Sequence, residues 1–211
     1  MKTHADLIDR LRAGPEPLLL LICGMPGTRK SSTAVQVGAA LGFSSVVGMD
    51  EVRDVMLLND RRPILQGKSH DRWQLFGELN EENFRRGFLG HCEALRDGAL
   101  AIVRKNLKIG ENTVVEGVHL VPSLYAGIAG AKVVHVVLVG GDLAGHPRLL
   151  DQKFGRRHGR QEPWTDEKVR HLEQIQDLLT RDAAACGAPV IRSTDPEDNC
   201  ARIIEIVRRS L

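Results

Sequence analysis

The sequence lacks a long apolar run and a leader of the secretory type. No apolar stretch approaches the ~20 residues that a membrane-spanning helix needs. Residues 1–14 (MKTHADLIDRLRAG) are polar and contain no apolar core of a signal peptide. These absences argue against a membrane protein, and we expect the protein to be cytoplasmic.

The chain also has few cysteines and a small net charge. The four cysteines are scattered without the paired spacing of a metal site, so we interpret them as reduced thiols. The formal net charge is only +2, which argues against a nucleic acid or a membrane surface as a partner. With 42% hydrophobic residues the chain can build a core, and its 211 residues fit a single domain.

The sequence does contain a glycine-rich loop between a predicted strand and a predicted helix. Residues 18–22 (LLLLI) predict a strand buried on both faces, and residues 30–41 (KSSTAVQVGAAL) predict a helix. The loop itself resembles the phosphate-loop pattern of glycine, four residues, glycine, lysine and a hydroxyl residue. Backbone amides of such a loop and of the helix start bind phosphates. The expected nucleotide-binding residues here are Gly24, Met25, Pro26, Gly27, Thr28, Arg29, Lys30, Ser31 and Ser32.

One residue departs from that pattern. Arg29 stands where the second glycine belongs, while Gly27 lies two residues earlier. The guanidinium would either add positive charge near the phosphates or mark a loop that no longer holds nucleotide. In a working loop, Lys30 would reach the outer phosphates and the Ser31 hydroxyl would bind Mg²⁺. The alternative to a phosphate loop is an ordinary strand-to-helix turn.

Four further apolar stretches predict strands, over residues 43–49, 113–119, 132–139 and 188–191. Helical patterns alternate with them, which predicts an α/β fold: a five-stranded parallel sheet with helices on both faces. Residues 71–108 are mostly helical in pattern, and Gly87, Gly90 and Gly98 suggest bends or two helices. The ligand crevice of such a sheet lies at the carboxyl ends of its strands.

Two acidic residues follow strands at that edge. Asp50 comes directly after the second strand and would accept the proton of the acceptor hydroxyl or align that hydroxyl. Its alternative role is a helix N-cap. Glu116 ends the third strand and would hold Mg²⁺ or contact the substrate, although a strand end also accommodates a polar residue without function. With Lys30, these two acids are the candidate catalytic residues of the sheet edge.

The acceptor site is expected beside these acids. Its candidate residues are Asp50, Arg53, His70, Arg72, Glu116 and His119. Arg53 follows Asp50 by three residues on a helix, and Arg53 and Arg72 would grip an anionic group. Thr194 follows the last strand and would border the adenine, or would belong to a turn before the final helix.

A basic segment within about residues 142–164 is a candidate lid. Arg156 and Arg157 would close over the phosphates and stabilise charge in the transition state, and Arg148 would contact the nucleotide. The alternative is a solvated basic loop. Arginine favours the first interpretation, because its rigid fork of donors matches phosphate oxygens.

Five segments together resemble the archaeal-type 2-phosphoglycerate kinases. Besides the phosphate loop they are residues 49–53 (MDEVR), 115–122 (VEGVHLVP), 171–179 (HLEQIQDLL) and 187–191 (GAPVI). Their order along the chain also matches, so the resemblance spans about residues 18–207. It implies a P-loop kinase fold of the nucleoside-monophosphate-kinase type and ATP-dependent phosphorylation of 2-phosphoglycerate to 2,3-bisphosphoglycerate.

The resemblance further implies ATP and Mg²⁺ as cofactors and a small phosphorylated acid as acceptor. The N-terminal region of many archaeal members has no counterpart here, so we expect one kinase domain over residues 1–211. Two other functions stay open. One is a kinase for a sugar, a nucleoside or a nucleic-acid 5′ end. The other is a non-catalytic nucleotide sensor, which Arg29 suggests; the oligomeric state is also open.

Overall fold

A five-stranded parallel sheet lies at the centre of the described residues, which are 4–140 and 165–211 in this computed structural model. Its strands are β1 (Leu18–Gly24), β2 (Ser45–Gly48), β3 (Thr113–Gly117), β4 (Lys132–Val139) and β5 (Val190–Arg192). They lie in the order β2–β3–β1–β4–β5, and every neighbouring pair is parallel. The predicted parallel sheet is therefore confirmed, with small differences at the strand ends.

Six α-helices in the described ranges cover the sheet. They are α1 (Ala5–Ala13), α2 (Lys30–Leu41), α3 (Met49–Met56), α4 (Glu81–Lys108), α5 (Asp166–Cys186) and α6 (Pro196–Ser210). Short 3₁₀ segments span Pro63–Leu65, Ser69–Phe76 and Pro122–Tyr125. None of the helices in these ranges is long and apolar enough to cross a membrane.

Strand β1 divides the apolar core into two layers because its side chains alternate between the faces of the sheet. Leu18, Leu20 and Ile22 pack with the buried faces of α1, α2 and α6. Leu19 and Leu21 pack on the opposite face with α3, α4 and α5. All seven residues of β1 are buried, which explains why its sequence is a continuous apolar run rather than an alternating one.

Helix α4 runs without a break for 28 residues, so the expectation of two helices within it is wrong. Its glycines serve close packing instead. A Cβ at Gly87 would collide with the backbone of Arg72 and Trp73, and a Cβ at Gly98 would collide with the Met56 side chain. The glycines thus let the 3₁₀ segment Ser69–Phe76 and helix α3 approach the α4 backbone.

The strand register determines which residues meet at the carboxyl edge of the sheet. Glu116 of β3 lies beside Ile22 of β1 on one side and beside Gly48 of β2 on the other. Because β1 leads into α2 and β2 leads into α3, the loop before α2, the start of α3 and Glu116 lie at one edge.

Candidate active site

The loop between β1 and α2 is shaped by two glycines that a larger residue could not replace without strain. A Cβ at Gly24 would lie 2.6 Å from the carbonyl oxygen of Leu138 and 2.7 Å from Thr28 Oγ1. Gly27 has φ +91°, a conformation that glycine adopts without steric penalty. The two glycines therefore allow the chain to turn tightly between the end of β1 and the start of α2.

Arg29 has a left-handed backbone, with φ 60° and ψ 15°, at the N-cap position of α2. It is the only non-glycine residue with positive φ in the part of the chain that the structure describes. The glycine that Arg29 replaces in the motif would adopt this conformation readily. The substitution consequently introduces backbone strain of about 1–2 kcal/mol but leaves the turn into α2 in place. The Arg29 side chain is exposed.

A hydrogen-bond network ties the loop to the end of the chain. Thr28 Oγ1 donates to the carbonyl oxygen of Met25 (2.9 Å), and the carbonyl oxygen of Thr28 accepts from Ser193 Oγ (2.8 Å). Asn199 Nδ2 donates to Ser193 Oγ (3.0 Å), and Asn199 is fully buried. The segment after β5 therefore lies against the phosphate loop, which was predicted from its place in the fold.

The segment 193–196 forms the turn before the final helix, which was one of its two predicted roles. Thr194 lies next to Ser193 and thus near the loop, and its hydroxyl donates to Asp198 Oδ2 (2.6 Å). Asp195 is the N-cap of α6 and accepts from the backbone amides of Glu197 and Asp198. These backbone hydrogen bonds hold the pKa of Asp195 below its usual value, with a smaller contribution from the positive charge of Arg29. An adenine contact for Thr194 stays a proposal.

Lys30 and Glu116 form an ion pair at the sheet edge, with 3.9 Å between Lys30 Nζ and Glu116 Oε2. Their side chains are 10% and 14% exposed, so the pair is largely shielded from water. Glu116 Oε2 is buried and has no hydrogen-bond partner among the residues described. A buried carboxylate oxygen of this kind would accept a hydrogen bond or a cation.

This carboxylate fits the chemistry of Mg²⁺, which prefers oxygen ligands and keeps several of its waters. Ser31 follows Lys30 in the first turn of α2 and is partly exposed, so its hydroxyl would be available to the same ion. Over residues 4–140 and 165–211, no group of three His, Cys, Asp or Glu residues could hold a metal ion by itself. The residues present therefore fit a Mg²⁺ that phosphate oxygens and water would hold together with Ser31 and Glu116.

Asp50 is exposed in the first turn of α3, which begins at Met49 with Gly48 as its N-cap. The alternative interpretation of Asp50 as the helix N-cap is therefore wrong, because the N-cap is Gly48, two residues earlier. The carboxylate is not used for capping and lies at the edge that carries Lys30 and Glu116. Its proposed action on an acceptor hydroxyl stays a prediction.

Arg53 lies one turn further along α3, and its guanidinium contacts Asp54 Oδ1 at 2.9 Å. Burial is the main cause of the low pKa values of His91 and His119, and the positive charge of Arg53 lowers both further. The negative charge of Asp50 acts in the opposite direction and raises the pKa of His91. That Asp50, Arg53 and His119 line one acceptor site stays a prediction.

His119 is 1% exposed, and its Nε2 lies 2.7 Å from Ser69 Oγ. Its ring stacks on that of His91, with centroids 4.9 Å apart and planes inclined by 19°. Burial, with the charges of Arg53 and Lys30, lowers the pKa of His119 to about 3, so the imidazole is neutral. A neutral imidazole offers one donor and one acceptor nitrogen to its surroundings.

His70 and Arg72 lie on the 3₁₀ segment Ser69–Phe76, which contacts His119 through Ser69. His70 is buried, and its Nε2 lies 3.6 Å from Asp71 Oδ2. Burial lowers the pKa of His70 to about 4. Arg72 donates to the carbonyl oxygens of Pro63 (2.9 Å) and Lys68 (3.2 Å), so it braces the preceding loop. Its charge still acts on His91, and a contact with an acceptor stays a prediction.

The basic segment falls outside the described residues. This applies to the lid at about residues 142–164 and to its candidate residues Arg148, Arg156 and Arg157. Their roles in closing over the phosphates therefore remain predictions.

Sequence reasoning did not assign His91 and Ser69 to the site. His91 is buried in the face of α4 that carries the apolar residues. Its stacking on His119 joins α4 to the segment after β3, and Ser69 joins a third segment to the same ring. These contacts connect residues that are far apart in the chain, so no local pattern signals them.

The chain is similar in sequence to curated 2-phosphoglycerate kinases, although no protein-family model matches it. The enzyme of Methanopyrus kandleri is 30% identical over 217 residues, covering 98% of this chain and 65% of that protein. The enzyme of Methanocaldococcus jannaschii is 27% identical over 209 residues, covering 94% of this chain and 66% of that protein. The chain therefore spans just under two thirds of the length of these relatives.

Solved structures of small-molecule kinases share the fold. A shikimate kinase from Acinetobacter baumannii, in complex with shikimate, superposes with a TM-score of 0.54 at 11% identity over 92% of this chain and 94% of that one. A gluconokinase from Sinorhizobium meliloti superposes with a TM-score of 0.51 at 16% identity over 92% of this chain and 93% of that one. At such identities the likeness shows the fold alone, which is that of the P-loop kinases.

Proposed function

We propose that this chain, which is similar in sequence to archaeal 2-phosphoglycerate kinases, is a member of that family and an ATP-dependent kinase acting on a hydroxyl group. The acceptor we propose is 2-phosphoglycerate, which would become 2,3-bisphosphoglycerate. The single observation that supports transfer chemistry at this edge is the buried pair of Lys30 and Glu116 next to a glycine-shaped loop. Such a loop at a helix start binds phosphates through its amides.

The nucleotide would bind along the loop Gly24–Ser32, with its outer phosphates near the Lys30 ammonium group. Lys30 carries a positive charge that is 90% shielded from water, so it would act strongly on the phosphoryl oxygens. When bound, Mg²⁺ neutralises charge on the phosphates, and Ser31 and Glu116 are the residues that would hold it. The segment after β5, fixed to Thr28 by Ser193, would border the base.

In the transfer, the free hydroxyl oxygen of the acceptor forms a bond to the γ-phosphorus while the bond from that phosphorus to the bridging oxygen breaks. ADP leaves with the electron pair of the broken bond. Asp50 is exposed at the pocket edge and would accept the proton of the attacking hydroxyl or orient it. Arg53 would hold the acceptor by an anionic group, since guanidinium matches the geometry of phosphate and carboxylate oxygens.

The relatives named 2-phosphoglycerate kinase favour this acceptor over a sugar, a nucleoside or a nucleic-acid end. The conformation of Arg29 also weakens the case for a sensor without activity, because the loop keeps its turn despite the missing glycine. A soluble small-molecule acceptor agrees with the near-neutral net charge.

An acceptor screen with γ-labelled ATP and Mg²⁺ tests the proposal. We expect label transfer to 2-phosphoglycerate, and only weak transfer to glycerate, gluconate, shikimate, nucleosides and a 5′-hydroxyl oligonucleotide. Equal or better transfer to another acceptor would overturn the choice of substrate. Binding of ATP with no transfer to any acceptor would overturn the proposed catalysis and favour the sensor.

A further inference from the structure

The stacked imidazoles of His91 and His119 have buried nitrogens that the folded chain does not use. His91 is 0% exposed, and neither Nδ1 nor Nε2 has a hydrogen-bond partner within residues 4–140 and 165–211. The same is true of His119 Nδ1. Leaving a buried polar group without a partner destabilises a protein by about 1–3 kcal/mol. The stacked pair thus holds three ring nitrogens that a polar ligand could satisfy.

The charged groups that influence the two rings are mostly positive. The charges of Arg53, Arg72 and Asp50 act on the pKa of His91, as does His119. The charges of Arg53 and Lys30 act on the pKa of His119. Burial and these cations lower the pKa of His91 to about 2, so both rings are neutral. The three cations outnumber the one carboxylate, so the charge that acts on the two neutral rings is net positive and suits an anion.

We propose that the His91–His119 pair is the subsite for an oxyanion of the acceptor, either its phosphate or its carboxylate. A ring N–H of each histidine donates a hydrogen bond to the anion, and Arg53 supplies the opposite charge. This inference rests on the proposed function, because it assigns the subsite to the acceptor of that reaction. It adds His91 to the acceptor site, together with the chemical class of the group that it recognises.

Ser69 is the hydrogen-bond partner that His119 has in the folded chain. Its hydroxyl contacts His119 Nε2 at 2.7 Å, and the segment Ser69–Phe76 packs along α4 next to His91. The acceptor oxyanion replaces the Ser69 hydroxyl as the partner of His119, so binding shifts this segment away from the rings. Exchange of a hydroxyl for an anion strengthens the hydrogen bond, because charge-assisted hydrogen bonds are roughly twice as strong as neutral ones.

A matched control is available in His171 of α5. This histidine is 4% exposed, and both of its ring nitrogens also lack a hydrogen-bond partner among the described residues. Its ring packs against Trp73 and Phe84, and the charges that act on it come from Glu167, Asp71 and Arg170. Two carboxylates and one cation do not favour an anion, so His171→Phe reports only the effect of replacing a buried histidine.

Isothermal titration of the whole chain with three ligands tests the inference. 2-Phosphoglycerate carries both anionic groups, glycerate lacks the phosphate, and glycerol 2-phosphate lacks the carboxylate. We expect His91→Phe to weaken the binding of 2-phosphoglycerate about tenfold to a hundredfold, because one hydrogen bond to a charged group is lost. The affinity for MgATP should be unchanged. His91→Gln, which keeps an N–H donor, is expected to weaken 2-phosphoglycerate binding less. The ligand whose affinity does not respond to His91→Phe lacks the group that the pair recognises.

The inference is wrong if the wild type phosphorylates 2-phosphoglycerate but His91→Phe weakens its binding no more than His171→Phe does. Failure of the proposed function looks different. In that case the wild type transfers no phosphoryl group to 2-phosphoglycerate, while His91→Phe still weakens whichever of the three anions the wild type binds.

Discussion

The ammonium group of Lys30 lies 3.9 Å from the carboxylate of Glu116, joining the first residue of α2 to the end of β3. The strand register explains the meeting, because Glu116 lies beside Ile22 of β1, two residues before the strand ends. Lys30 thus connects the proposed nucleotide site to the carboxylate that would face Mg²⁺. A pair so placed has to serve both folding and catalysis, and the two contributions can be separated.

Replacing Lys30 by Met should leave the buried Glu116 carboxylate without its cation. We expect the free energy of unfolding to fall by about 1–3 kcal/mol, which leaves the protein folded. Glu116→Gln should have a similar effect, whereas the double variant should recover most of the loss because neither charge remains buried alone. Urea unfolding of the four proteins measures this coupling. Additive losses in the double variant would show that the two groups do not interact.

Arg29 gives a test of backbone strain in the phosphate loop. Arg29→Gly and Arg29→Ala both remove the guanidinium, but only glycine adopts φ 60° without penalty. We therefore expect the glycine variant to be more stable than the alanine variant by about 1 kcal/mol in urea unfolding. Equal stabilities, or a more stable alanine variant, would mean that residue 29 does not have the left-handed conformation.

Asp50→Asn is expected to lower kcat by about 10²–10⁴-fold, the usual effect of removing a general base, with little change in the KM of the acceptor. Steady-state kinetics with a varied acceptor measure the two constants separately. Asp54→Asn is the control on the same helix, since its carboxylate contacts Arg53 instead. It should change KM through Arg53 and leave kcat nearly intact. An effect of Asp50→Asn on KM alone would contradict the role of Asp50.

Acid should destabilise the protein through its buried histidines. Burial lowers the pKa of His119 to about 3 and that of His135 to about 4, against a reference value of 6.5. Between those values the unfolded chain binds protons that the folded chain excludes, so stability falls as the pH decreases below 6.5. Each residue contributes up to about 1.4 kcal/mol per pH unit.

Urea unfolding at about pH 7, 6 and 5 measures this loss. A variant that removes one buried histidine, His135→Gln, should show a smaller decrease over the same interval. His4, outside the core and partly exposed, is the site of the matched control His4→Gln. A free energy of unfolding that does not change between about pH 7 and 5 would contradict the assignment of these rings as neutral and buried.

Local patterns were sufficient to predict the sheet and the phosphate loop. Strand β1 is apolar throughout because both of its faces are covered, and Lys30–Ser31 follow it at the spacing of a phosphate loop. The edge at which Asp50 and Glu116 meet also follows from the alternation of strands and helices, because parallel strands place their carboxyl ends together.

Contacts between distant segments were not predictable in this way. The stacking of His91 on His119 depends on how α4 packs against the segment after β3, which the sequence pattern does not specify. The segment after β5 was predicted to lie near the loop, but its hydrogen bond from Ser193 to Thr28 was not. The glycines of α4 were misinterpreted for the same reason. Gly87 and Gly98 are required by neighbouring segments rather than by a change in the helix itself.

Titration of the protein with MgATP, followed by calorimetry, tests the central claim most directly. The account predicts saturable binding of one nucleotide per chain by the wild type, loss of most of that affinity in Lys30→Met, and retained affinity in Arg29→Gly. No binding by the wild type, or undiminished binding by Lys30→Met, would contradict a phosphate site formed by the loop between β1 and α2.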